Sequence, residues 1–182
     1  MVLLVGLAAN LLQPTYSLVE GSRTEHDKAT GVQILWTVYA VQMLALGEWL
    51  WRRPPAGPDF LTFVAGVAML AGLFLRTWAV RTLGRYFTWN VEVQGGQTVI
   101  EAGPYRRIRH PSYTGALLMF GATPLVFHAW LVALPAWLAL VLAFRRRIRL
   151  EEELLRREIP GYADYMTRTG ALWPRLGARP AR

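Results

Sequence analysis

Residues 113–144 read YTGALLMFGATPLVFHAWLVALPAWLALVLAF and contain no Asp, Glu, Lys or Arg. The run is too long for a single crossing of a hydrocarbon core, which takes roughly 20 residues of helix. Phe127-His128 interrupts it, with Pro124 and Pro135 on either side, so it predicts two short helices joined by a tight turn. Each half is about 24 Å long at ~1.5 Å per residue. Tilt, local thinning or burial against neighbours has to make up the remaining thickness.

Three more apolar stretches precede this hairpin. Residues 59–75 carry no charge after Asp59, residues 31–51 carry one acid, Glu48, and residues 1–19 are apolar with Glu20 just beyond. The last of these has no basic segment before it and no small-residue cleavage pattern after it, so it reads as a first helix and not as a signal peptide. A composition that is 53% hydrophobic over 182 residues suits one domain, and only the distribution of those residues decides its surroundings. The expected fold is all-α: a polytopic membrane protein of about five transmembrane helices, residues 1–182 forming a single domain.

The formal charge of +8 has to be weighed against the placement of the basic residues. With the C-terminal tail cytoplasmic, five alternating spans put Arg23, Lys28, Arg76, Arg81, Arg85, the Arg106–Arg109 run and the whole tail on that face, and leave only Arg52 and Arg53 opposite. The positive-inside rule produces this asymmetry and accounts for the basicity, so no nucleic-acid partner is expected. A bacterial inner membrane and the endoplasmic reticulum both fit. The absence of cysteine excludes disulfides, thiolate metal sites and a cysteine nucleophile. A glycine-rich nucleotide fingerprint, a P-loop, a nucleophile elbow and a metal-binding histidine pair are also missing, and no metal is expected. No sequence feature demands an obligatory protein partner.

Two long polar segments lie on the arginine-rich face. Residues 82–109 are aromatic and polar, with Gly95-Gly96 and Gly103-Pro104 as turn signals. The tail starts at Arg145 as a charged continuation of the last helix. Together they are expected to form a cytoplasmic cap over a cavity, since long ordered loops are commonly functional.

The first chemical constellation runs from Gly103-Pro104-Tyr105 through Arg109-His110-Pro111-Ser112-Tyr113-Thr114-Gly115. Pro111 marks a helix start, and the amides of Ser112, Tyr113 and Thr114 would point outward from a positive helix end that suits carboxylates and phosphates. Arg106 and Arg107 read as snorkelling anchors. The second constellation is Arg145-Arg146-Arg147-Ile148-Arg149-Leu150-Glu151-Glu152-Glu153, followed by Tyr162, Tyr165 and Arg168. Arg147 with Glu151 and Arg149 with Glu153 share helix faces at a spacing of four. Glu153 fits a solvated ladder, whereas Glu151 and Glu152 sit where the polar loop can cover them. Glu48 and Arg76 read as snorkelling groups, and His128 as a solvated hairpin tip.

At these two constellations the sequence resembles the isoprenylcysteine carboxyl methyltransferase family of integral membrane enzymes. The resemblance covers the C-terminal half, from about Leu83 to Arg182, and rests on the Gly103–Tyr105 and Arg109–Gly115 elements, the Glu151-Glu152 pair, Tyr162, Tyr165, Arg168 and Pro174. Membrane sterol reductases and phospholipid methyltransferases carry strings similar to the Arg-His-Pro element. The resemblance implies S-adenosylmethionine as cofactor, with S-adenosylhomocysteine as product. It assigns Tyr105, Arg109, His110, Pro111, Tyr113, Gly115, Glu151 and Glu152 to cofactor binding, and Arg147, Glu151, Glu152 and Arg168 to catalysis. It also implies an amphiphilic, lipid-like or prenylated acceptor drawn from the lipid bilayer, first of all an isoprenylcysteine carboxylate. A lipidic phenol or phospholipid amine stays open as acceptor, as does a sterol reductase using NADPH.

Overall fold

A computed structural model describes residues 25–54, 57, 59–88 and 90–175, with side chains from residue 29 onward. The expected first helix at residues 1–19, Arg23 and the last seven residues lie outside the described residues. Five α-helices follow in order: α1 (Glu25–Arg52), α2 (Phe60–Leu83), α3 (Pro111–Val126), α4 (Trp130–Glu158) and α5 (Tyr162–Arg168), with 3-10 turns at Gly84–Tyr86 and Gly103–Arg106. Among the described residues the only strand-like pairing is an isolated bridge between Ile108 and Gly170.

The helix ends follow local chemistry. α1 stops where Arg53 takes a positive φ of 44° just before Pro54, because a residue ahead of proline is pushed out of helical geometry. At the start of α2, the Asp59 carboxylate accepts from the Thr62 amide at 2.8 Å, which satisfies one of the unpaired donors of the first turn. Gly84, at φ 54°, closes the same helix by donating its N–H to the Val80 carbonyl, a conformation that glycine adopts without steric cost.

α3 and α4 form the expected hairpin, but the break is narrower than the prolines suggested. Pro124 and Pro135 both lie inside helices, and the turn is confined to residues 127–129, with His128 at φ 53° and the Ala129 amide bonded to the Pro124 carbonyl at 2.8 Å. α4 then continues without interruption from its apolar half into the charged segment.

Two helices are long and apolar enough to cross a membrane, Ala29–Arg52 and Phe60–Tyr86, and only 28% and 22% of the residues in their most apolar stretches are buried. A core helix of a water-soluble protein would be mostly covered. Here Trp36, Trp51, Phe60, Phe63 and Phe74 are each at least two-thirds exposed, as a bilayer-facing surface requires.

Where helices do pack, they pack closely. A Cβ on Gly72 of α2 would stand 2.5 Å from the Gly115 carbonyl oxygen of α3, and a Cβ on Gly115 would stand 2.5 Å from that of Gly72. Such small-residue contacts let backbones approach where lipid supplies no hydrophobic drive for helix association. Gly121 of α3 likewise makes room for the Trp137 indole of α4. Glu48 of α1 is buried, and it accepts from the Leu131 and Val132 amides at 3.2 and 3.0 Å and from Arg52 at 3.1 Å. The snorkelling expectation for Glu48 is therefore replaced: its carboxylate caps the positive end of α4. His128 is not a solvated tip either. Its side chain is 18% exposed, and its ring bonds Thr62 Oγ1 at 2.9 Å.

Candidate active site

The start of α3 is held from two sides. Arg109 N–H donates to the Gly170 carbonyl at 2.8 Å, His110 N–H to that of Ala171 at 3.0 Å, and Gly170 N–H to that of Arg107 at 3.2 Å. Thr114 Oγ1 adds a bond to the Leu172 carbonyl at 2.7 Å. A Cβ at Gly170 would lie 1.7 Å from the Trp173 carbonyl oxygen, so this pairing needs glycine there. The tail segment thereby fixes the residues that lead into α3.

One correction concerns the helix end itself. The amides of Tyr113 and Thr114 both donate to the His110 carbonyl at 3.0 Å, so of the three expected outward donors only that of Ser112 is left for a ligand. The charges come instead from side chains. Glu152 accepts from Arg109 Nε at 2.6 Å and from His110 Nε2 at 3.1 Å. A carboxylate has no proton to give, so His110 carries its proton on Nε2. Burial opposes ionisation of Glu152, but the bonds from His110 and Arg109 outweigh it and hold the carboxyl below its usual range. Arg109 also reaches the Met166 carbonyl at 3.2 Å and the Thr169 carbonyl.

The neighbouring network turns on one hydroxyl. Tyr113 O–H donates to Glu151 at 2.7 Å and accepts from Arg147 Nε at 3.1 Å. The i,i+4 face shared by Arg147 and Glu151 is thus bridged by a residue from α3. Arg147 is buried, and its Nη1 donates to Thr30 of α1 at 3.3 Å. The His110 and Tyr113 rings stack at 5.4 Å with an interplanar angle of 4°. Burial raises the phenols of Tyr105, Tyr162 and Tyr165 far above their ordinary value, with the Glu151 charge adding to the first two. These groups remain neutral hydrogen-bonding phenols.

These side chains border a cavity of about 190 Å³. Its polar end is formed by Tyr105, Arg109, His110, Tyr113, Arg147 and Glu151, roofed by Tyr86, Glu92 and residues 97–100 of the long loop and by Tyr162 and Tyr165 of the tail. Its apolar end is formed by Ile34 and Val38 of α1, Ala116 and Phe120 of α3, and Phe144 of α4.

The structure thus brings together Tyr105, Arg109, His110, Tyr113, Arg147, Glu151 and Glu152. Three expected residues sit elsewhere. Pro111 is fully buried at the first position of α3, Gly115 faces α2 at the helix crossing, and Arg168 bonds Glu101 at 2.9 and 3.1 Å. Glu153 pairs with Arg157, not with Arg149.

Arg76 is the main residue that sequence reasoning missed. It lines the cavity from α2 and donates through Nη1 to the Ser112 hydroxyl at 2.9 Å and carbonyl at 3.3 Å. The sequence signal that could have found it is an ionisable group within an apolar helix, which marks a site by default although it does not name the partner. Among the described residues no cluster of acidic and histidine side chains is arranged to hold a metal ion.

A probable protein-S-isoprenylcysteine O-methyltransferase of Oryza sativa is 34% identical over 111 residues, covering 58% of each chain. The cobalt-zinc-cadmium resistance protein CzcN of Cupriavidus metallidurans is 27% identical over 148 residues, covering 80% of this chain and 63% of its own. The uncharacterised YpbQ of Bacillus subtilis is 28% identical over 87 residues, covering 48% of this chain and 52% of its own. The chain therefore spans less than two thirds of the length of each of these relatives. The family model for isoprenylcysteine carboxyl methyltransferases matches residues 64–157, from the first turns of α2 through the Arg109–Gly115 element and the Glu151-Glu152 pair to the last turn of α4, short of Tyr162, Tyr165 and Arg168, and the chain belongs to that family.

Proposed function

We propose that the protein transfers a methyl group from S-adenosylmethionine to the carboxylate of an isoprenylcysteine-like amphiphile, within a bundle of about five transmembrane helices whose polar cavity end faces the cytoplasm. One observation carries this reading: a single cavity is lined by ionic and aromatic side chains together with apolar ones, with Arg147 between apolar Phe144 and Glu151 along α4 and Arg76 lining it from α2. A polar cofactor and a greasy acceptor with an anionic head need that combination.

The donor chemistry of the site suits the cofactor. The stacked His110 and Tyr113 rings offer a flat face for a heteroaromatic base, while Glu151 offers an anionic acceptor for hydroxyl or amino groups. Arg109 and Glu152 hold His110 in place, and Tyr105 closes the polar end. Pro111 and Gly115 support binding indirectly, one by starting α3 and the other by letting α2 approach so that Arg76 meets Ser112. S-adenosylmethionine supplies an electrophilic methyl group on a sulfonium. The acceptor carboxylate is already a nucleophile, so the protein's work is alignment and exclusion of water. Arg76 and Arg147 orient the carboxylate by charge, and Val38, Phe120 and Phe144 hold the apolar tail. Arg168, paired with Glu101, steadies the loop that roofs the cavity.

The test uses purified protein with radiolabelled S-adenosylmethionine and a farnesylated cysteine analogue, beside the same analogue with its carboxyl blocked as an amide. Label is expected only in the free acid, with calorimetric binding of S-adenosylhomocysteine. Labelling of the blocked analogue, or no binding of S-adenosylhomocysteine, overturns the reading.

A further inference from the structure

The outer surfaces of α2 and α4 carry the same pattern. On α2 the exposed residues Phe63, Val67, Leu70, Phe74 and Trp78 follow at spacings of three or four and exposed Arg81 continues that stripe, while exposed Arg85 follows in the 3-10 turn after Gly84 and donates to the Tyr86 hydroxyl at 2.7 Å. On α4 the exposed residues Leu131, Leu134, Leu138 and Leu142 do the same and run into exposed Arg145 and Arg149. Such spacing keeps each set on one helix face.

Both stripes end at the same end of the bundle, because α2 and α4 meet the start of α3 there, through Arg76 to Ser112 and Arg147 to Tyr113. Arg145 stands about 3 Å inside the level of Arg147 along α4, and Arg81 about 7 Å beyond Arg76 along α2, at ~1.5 Å per residue. Three acids of α4 that follow Arg149 are engaged elsewhere: Glu151 with Tyr113, Glu152 with Arg109 and His110, Glu153 with Arg157. On α2 a shallow groove lined by Phe74, Thr77, Trp78 and Arg81 joins the two halves of the pattern.

We propose that Arg81 with Arg85, and Arg145 with Arg149, bind anionic phospholipids of the surrounding bilayer, with phosphates on the arginines and acyl chains along the apolar stripes. Arginines just outside the hydrocarbon attract anionic headgroups. The inference rests on the transmembrane reading of α2 and α4.

The experiment incorporates the full chain into bilayers of phosphatidylcholine containing a minority of phosphatidylglycerol, extracts it gently and measures the retained lipid by mass spectrometry. Phosphatidylglycerol is expected to be enriched roughly tenfold over its bulk share, and the double variant Arg81→Gln/Arg145→Gln is expected to lose most of that enrichment. Should the glutamine variant fail to fold, Arg81→Lys/Arg145→Lys keeps the charge and is expected to retain it. Equal retention of both lipids overturns the proposal. So does stabilisation by soluble glycerol phosphate in pure phosphatidylcholine to the same extent, since the arginines would then bind free phosphate. Release of the chain from membranes by alkaline carbonate overturns the transmembrane reading itself, whereas a carbonate-resistant chain without lipid preference overturns this inference alone.

Discussion

Replacing Glu152 by glutamine keeps the size of the side chain and removes the charge that Arg109 and His110 share. The Arg109 and Glu152 side chains are only 10% and 14% exposed, so the exposed-pair discount is small. Removing one partner of such a buried pair costs about 3 kcal/mol, at the low end of the known range. For a chain of this size that is a fall in melting temperature of roughly 6–12 °C. Glu153→Gln is the matched control: its side chain is 57% exposed and its bond to Arg157 is a surface i,i+4 contact, so a shift of about 1 °C is expected. The folded pKa of Glu152 lies below its unfolded value, so its contribution is complete above about pH 4.3 and fades as the pH falls through the folded value. Thermal unfolding in detergent, followed by circular dichroism from neutral pH down to acid, tests both points. The wild type should lose more melting temperature than Glu152→Gln on acidification, and the two curves should converge. Equal shifts for Glu152→Gln and Glu153→Gln at neutral pH would refute the buried-hub argument.

Three further outcomes follow from the same geometry. Gly115→Val forces side-chain atoms into the Gly72 carbonyl and should lower stability by about 1–3 kcal/mol, seen as reduced folded yield and a lower melting temperature, while valine at Gly66, which meets nothing within 4 Å, should have a far smaller effect. Gly170→Ala puts a methyl against the Trp173 carbonyl and should unpair the tail from residues 107–110, which limited proteolysis of the C-terminal segment would reveal as faster cleavage. Tyr113→Phe removes the hydroxyl between Glu151 and Arg147 and should weaken S-adenosylhomocysteine binding about tenfold, measured by calorimetry, with little change in helix content.

The parts of the fold written in local sequence were readable in advance. The charge-free run at residues 113–144 set the hairpin, the apolar residues 59–75 set the second helix, and the charged residues after Phe144 continued the last one. The convergence of His110, Tyr113, Glu151 and Glu152 followed from the resemblance and not from spacing, because these residues meet across 38 to 42 positions. What escaped notice were contacts made between helices. Glu48 looked like a snorkelling group because its partners Leu131 and Val132 are more than 80 positions away. Arg76 looked like a snorkelling group for the same reason, since nothing in its own helix shows that Ser112 is opposite. Gly115 stood inside a motif associated with cofactor binding, yet its lack of a side chain serves the approach of a neighbouring helix.

The pairing of residues 169–172 with the entry to α3 also sets an order of events during synthesis. Once Phe144, the last residue of the charge-free run, has been made, about 28 further residues have to follow before Leu172 can fasten the start of α3, roughly 1–6 s at ordinary elongation rates. An unfinished chain therefore holds its apolar helices with the residues that lead into α3 still unpinned, and they are fixed only once translation has passed Leu172.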